Sequence, residues 1–235
     1  MPNNPVVYNR SDGQRLRSAP GTGATYALLT GDTLTFGPGK TGQLGVVEEG
    51  VKDQLASFSG NHMIVTPGMS YLHSDKELSA LDRVRYLGLT KQRGALAASQ
   101  REITKKLKEL QKRAETPEKA KLKEQIAELG KKIDATVKEM SECVPWKQPC
   151  RYPLCLILAG QALVAGGEGE IGAFNAGDGQ QIWKGAVTGK AFGLAASGGR
   201  LYASTDQGTI HCFSSAASRA SAGGRTPSST GGPRP

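Results

Sequence analysis

Six consecutive residues, Gly167-Glu168-Gly169-Glu170-Ile171-Gly172, match the Gly-x-Gly-x-x-Gly fingerprint of dinucleotide sites letter for letter. That chemistry needs a helix to begin directly afterwards, because its free N–H groups and dipole receive the pyrophosphate. Here the continuation AFNAGDGQQIW alternates and then turns, as a hairpin does, so nucleotide binding is not expected. Gly39-Lys40-Thr41 resembles the end of a P-loop, but Leu34 stands where the first glycine is required, and Gly37-Pro38-Gly39 reads as a turn. Cys143, Cys150, Cys155 and Cys212 lack the paired two-residue spacing of a zinc site, and no Cys-x-x-Cys-His exists for covalent haem. Cys143 and Cys150 flank the strand that contains Trp146; a disulfide between them stays open beside the reading as buried free thiols, which behave as small apolar residues. His62, His73 and His211 are expected in different repeat units, which leaves no Ser-His-Asp arrangement. Asp12 and Asp178 are accounted for by turn capping. No catalytic, cofactor-binding or metal-binding residue is expected.

The elements that would carry these residues repeat. From Glu170 to Trp183 the chain reads as a strand, an Asn-Ala-Gly-Asp-Gly turn and a second strand ending in tryptophan. Its amino-terminal residues repeat the pattern, placing Tyr8 on Phe174, Asn9 on Asn175, Asp12 on Asp178, Gly13 on Gly179, Gln14 on Gln180 and Leu16 on Ile182. A looser copy puts Val47 on Phe174 and Leu55 on Ile182, and a fourth is split, with Leu78 to Asp82 as its first strand and Trp146-Lys147 returning only much later. Ahead of these lie further hairpins beginning at Ala27, Ile64, Leu156 and Leu194, with a spacing of 37 residues from Gly31 to Gly68 and 39 from Gly160 to Gly199. Two hairpins per period give four strands, close to the ~40 to 45 residues of a propeller blade. The fold class expected is mainly β: a partial or small β-propeller of four-stranded antiparallel blades. A half-blade falls at about 5 to 18, followed by blades at about 24 to 59, 62 to 150 and 154 to 188, with a last one from Phe192 to Phe213 lacking its fourth strand.

Between Asp82 and Trp146 the periodicity becomes helical. Leu96, Ile103, Leu107 and Leu110 share one face; Thr116-Pro117 supplies a cap with proline at the first helical position; Leu122, Ile126, Leu129, Ile133, Val137 and Met140 share a second. An antiparallel α-helical hairpin of the coiled-coil type is therefore inserted between the third and fourth strands of one blade. The domains expected are blades over 1–90, the helical hairpin over 91–142, blades over 143–213 and a Ser-, Gly-, Pro- and Arg-rich disordered tail over 214–235.

The turn-and-tryptophan unit AFNAGDGQQIW resembles the A-x-D-x-x-T-G-x-x-x-W signature of the quinoprotein-like, or PQQ-binding-like, β-propeller repeats. That group includes quinone-dependent alcohol dehydrogenases and the propeller lipoprotein of outer-membrane protein assembly. The resemblance implies that the turn glycine takes a left-handed backbone, that the acidic or amide side chain caps the turn, and that the tryptophan packs between blades. Asn9, Asp12, Gly13, Trp146, Asn175, Asp178, Gly179 and Trp183 are then the structural repeat motif. Asn175 replaces the usual aspartate, Asp178 replaces threonine, and Arg17 and Phe58 stand where other tryptophans would. It also implies a bacterial periplasmic or envelope location if the true amino terminus lies upstream of Met1.

A net charge of +9 suits nucleic acid or an anionic surface, but it sits mainly in the helical segment, where alternating Lys and Glu make a solvated face, and in the tail. The longest apolar passage, Leu154 to Ala165, is shorter than a membrane span and carries Gln161, so no membrane span is expected. The function expected is a non-catalytic propeller module that docks another protein, or another domain of a longer polypeptide. The alternatives are a fragment of an oxidoreductase using PQQ with calcium, and nucleic-acid or anionic-surface binding through the basic helices.

Overall fold

A computed structural model of the chain describes residues 6–18, 25–38, 43–48, 54–110 and 116–214. The glycines at the hairpin bends explain why the strands fold where they do. Gly31, Gly160 and Gly198 have positive φ in two-residue turns, a backbone state that costs residues with a β-carbon roughly 1–2 kcal/mol. They join β3 (Tyr26–Thr30) to β4 (Thr33–Gly37), β11 (Cys155–Ala159) to β12 (Ala162–Gly166), and β14 (Gln181–Ser197) to β15 (Arg200–Thr205).

Two compact units result, Met1–Pro153 with Ala176–Gln180, and Leu154–Asn175 with Gln181–Pro235. The first contains the two-stranded hairpin of β1 (Val6–Tyr8) and β2 (Arg15–Ser18), and two four-stranded antiparallel sheets. One sheet runs β3, β4, β5 (Gln43–Glu48) and β6 (Gln54–Ser59); the other runs β7 (His62–Val65), β8 (Met69–His73), β9 (Glu77–Asp82) and β10 (Trp146–Pro149). The core joins Leu44, Met63, Leu72, Leu81, Leu89, Met140 and Cys143, so both ends of the helical insertion are rooted in apolar packing against strands.

The insertion sits between β9 and β10, whose register pairs Trp146 with Ala80 across 60-odd intervening residues. Its first helix, α1 (Arg83–Glu109), starts directly after β9, ahead of the 91–142 span expected for the helical hairpin. The reason is local: the Asp82 side chain accepts from the Arg85 N–H at 3.0 Å and caps the helix, while the Asp82 N–H donates to Cys143 O at 2.7 Å and closes the base. The second helix, α2 (Pro117–Ser141), is capped by Thr116 with Pro117 in its first turn. The predicted apolar faces meet as half-buried rows, except that Val137 is exposed and Thr136 is buried in its place, its hydroxyl donating to Lys132 O.

In the second unit β11, β12, β13 (Glu168–Asn175), β14, β15 and β16 (Ile210–Ser214) form one six-stranded sheet. The boundary expected between a blade ending at 188 and another starting at 192 falls inside one long strand, where pairing passes from β13 to β15 between Lys190 and Ala191. β14 runs unbroken for 17 residues, its first part pairing with β13 and its last part with β15, because no proline or turn interrupts it and Gly189 absorbs the bend at φ +87°. Ile171, Val187, Ala191 and Ala203 make its core.

The repeat extends to a detail the residues did not announce. A one-residue register shift falls at Val7/Tyr8, at Val46/Val47 and at Ala173/Phe174, the same place in three copies of the turn-bearing hairpin. Among the described residues no helix is long and apolar enough to cross a membrane.

Candidate functional site: a tryptophan seated on a glycine turn

Trp146 opens β10 and is 8 % exposed. Its indole N–H donates to Ala176 O at 3.0 Å, and its ring lies against Gly179 so closely that a β-carbon there would clash with the indole carbons Cε3 and Cζ3. Gly179 has φ +73°, and the Asp178 carboxylate accepts from the Gln180 N–H at 2.9 Å, holding the turn that presents it. Tyr71 covers the indole from its own sheet, ring centroids 6.2 Å apart. The result is a lock in which an aromatic key from one sheet fills a seat that only glycine leaves empty.

The amino-terminal hairpin builds the same seat. Asp12 accepts from the Gln14 N–H at 2.9 Å, Asn9 accepts from the Ser11 N–H at 3.0 Å, and Gly13 has φ +70°. Among the described residues of its own unit nothing lies within 4 Å of the place a Gly13 β-carbon would take. Asp12 and Asp178 each accept from the N–H of the glutamine two residues on. Asn175 closes β13 at the matching position of the other copy.

Trp183 departs from the packing expected of it. It is 38 % exposed, edge-on to Phe213 at 5.1 Å and laid over Gly185. Together with Phe213, Gly160 and Gly198 to Leu201 it lines an open cleft of 640 Å³. The key is present, and among the described residues no acceptor meets its N–H. Phe58, at a position where other repeats have tryptophan, instead packs on Tyr86 at the root of α1, 5.2 Å between centroids. The insertion has replaced the turn that a tryptophan would seat upon, and a phenylalanine with no N–H to satisfy suits that surface. Arg17 lines a 290 Å³ cleft with Val6, Val7, Leu29, Leu34 and Val47.

Of the dinucleotide-like glycines, Gly167 directly precedes β13 and Gly169 and Gly172 lie on it, so a strand and not a helix follows. Gly39-Lys40-Thr41 lies outside the described residues. His62 and His73, expected in different units, face each other across β7 and β8 with stacked rings 5.5 Å apart. The spacing of 11 residues spans one hairpin, a signal legible once its turn at Pro67-Gly68 is placed. His73 is fully buried, with Cys150 Sγ 3.6 Å from Nε2. All four cysteines are free thiols; burial pushes Cys150 and Cys143 up, and Cys155 up to about 11.

Burial, reinforced by His62, pushes His73 down from 6.5 to about 4, against opposing effects of the Tyr152 backbone and the Asp75 carboxylate. Its folded-state value is depressed, so the unfolded chain takes up the proton first as pH falls. Stability from keeping His73 neutral is complete above pH 6.5 and is lost between there and about pH 4, a span worth about 3 kcal/mol. Urea titrations at pH 7, 5.5 and 4.5 are expected to show this loss in the native chain and to show a smaller one in His73→Gln. Equal slopes in the two would refute the assignment.

With the geometry in hand, comparison with solved structures decides the fold. The chain resembles the computationally designed Ika4 protein at 10% identity with a TM-score of 0.54, over 86% of this chain and 98% of that one. It resembles Hsv2 from Kluyveromyces lactis, a β-propeller, at 10% identity with a TM-score of 0.52, over 89% of this chain and 55% of Hsv2. The fold is that of a β-propeller. The chain spans about half the length of Hsv2, and its sheets are partial-propeller blades. BamB from Moraxella catarrhalis also aligns, at 12% identity over 85% of this chain and 49% of that one, but its TM-score of 0.46 adds nothing to the assignment. No protein-family profile and no curated protein matches the chain.

Proposed function

We infer that this chain is a non-catalytic β-propeller module that docks a protein partner, or another domain of a longer polypeptide, through its helical hairpin. The observation that carries this reading is where the hairpin is anchored. α1 has buried residues only at Leu87, Leu89 and Thr90, next to the strands, although the helix runs for about 40 Å. Beyond that root α1 and α2 pair with each other, the Gln100 side-chain amide donating to Ile126 O at 3.1 Å, and their outer faces stay exposed. An interruption of a blade that leaves β9 and β10 in register, and offers two long helical faces, suits recognition better than catalysis.

Cross-linking in living cells tests it, using the full chain and a variant in which 95–132 is replaced by a short Gly-Ser loop. A defined protein cross-linked to the full chain and lost with the shortened one is the expected result. A partner retained by the shortened chain would overturn the hairpin's role. Two results would move the assignment elsewhere: a quinone absorbance that appears on addition of PQQ with calcium, or nucleic-acid binding that weakens steeply with salt.

A further inference from the structure

Among the described residues there is one closed lock, and a key and a seat that stay open each within its own compact unit. Trp146 is seated on Gly179; Trp183 is a key with an empty cleft beside it; the Asn9–Gln14 turn is a seat with nothing above Gly13. The open halves match the closed lock in the features that make it work. Trp183-Lys184 repeats Trp146-Lys147, and both turns carry Asp-Gly-Gln with the aspartate capping the Gln N–H and glycine at φ +70° and +73°. Their hairpins share the same register shift one residue before the turn.

The surfaces around the open halves are also uncovered. Among the described residues β16 pairs only with β15 and β2 only with β1, and Ile210 and Leu16 are 71 % and 62 % exposed. Ile182, next to the key, is 57 % exposed. Apolar residues along an unpaired strand edge mark a surface made for association.

We propose that a second copy of this chain is the occupant: Trp183 of one copy seats on the Asn9–Gln14 turn of the next, repeating between molecules the lock that Trp146 makes within one. Key and seat are different patches, so the contact is heterologous, and each dimer keeps one free key and one free seat to extend into longer assemblies or a closed ring. The proposal stands apart from partner docking by the helices, and loss of the hairpin's partner leaves it intact.

The test uses full-length chains and light scattering after size exclusion across a concentration series. The native chain is expected to rise above the single-chain mass as concentration increases. Trp183→Ala removes the key; Gly13→Asn fills the seat with a side chain whose residue type tolerates positive φ, so the turn itself is kept. Each variant alone is expected to stay at the single-chain mass. Their equimolar mixture is expected to reach twice that mass, because one variant retains the seat and the other the key. A native chain that stays monomeric at every concentration, as closure of the lock within one molecule would produce, overturns the proposal. So does a mixture that fails to associate, or variants that associate as the native chain does.

Discussion

Trp146→Ala is expected to lower the unfolding free energy by about 3–5 kcal/mol, the cost of emptying a well-packed aromatic site. The residue is 8 % exposed, its N–H donates to Ala176 O, and its ring is enclosed by Tyr71 and the Gly179 turn, so little around it can collapse inward. The removed N–H also leaves a buried carbonyl to find another donor. Trp183→Ala is expected to cost no more than about 1.5 kcal/mol in dilute solution, because the ring is 38 % exposed and its main partner is a single edge-on phenylalanine. Urea denaturation of the two variants side by side checks this. Equal losses would mean that the two tryptophans are packed alike, contrary to the difference in their seats.

Gly179→Ala is expected to cost about 3 kcal/mol, while Gly13→Ala costs about 1. Both glycines have φ near +70°, so both substitutions carry the same left-handed backbone penalty of roughly 1–2 kcal/mol. The difference comes from what stands above them. A β-carbon at Gly13 meets nothing, whereas one at Gly179 meets the Trp146 ring and the Gln148 side chain and must displace a buried indole, an overpacking cost of about 1–3 kcal/mol. Introducing Gly179→Ala into the Trp146→Ala background is expected to return its cost to that of Gly13→Ala, since the clash is gone and only backbone strain remains. A cost that is unchanged in that background would show that the turn, not the lock, limits the substitution.

Much of this architecture was legible in the residues because it depends on near neighbours in sequence. Alternation and the positive-φ glycines define the hairpins, and Asp-Gly-Gln defines the capped turn whatever packs upon it. The return of Trp146-Lys147 located β10 beside β9, with the helices between them, because a strand lost from a repeat must reappear where the pattern resumes. What local pattern could not say is which copy of a repeated residue is buried. Trp146 and Trp183 sit in nearly the same sequence, yet one is enclosed and the other open, because burial is decided by the element packed on top and that element is distant in the chain. Phe58 meets Tyr86 for the same reason: the neighbouring turn has been displaced by a helix root. The pairing of His62 with His73, the unbroken course of β14 and the start of α1 at Arg83 likewise follow from strand register and from a cap closed by Cys143 across the insertion, interactions that exist only once the sheets have assembled.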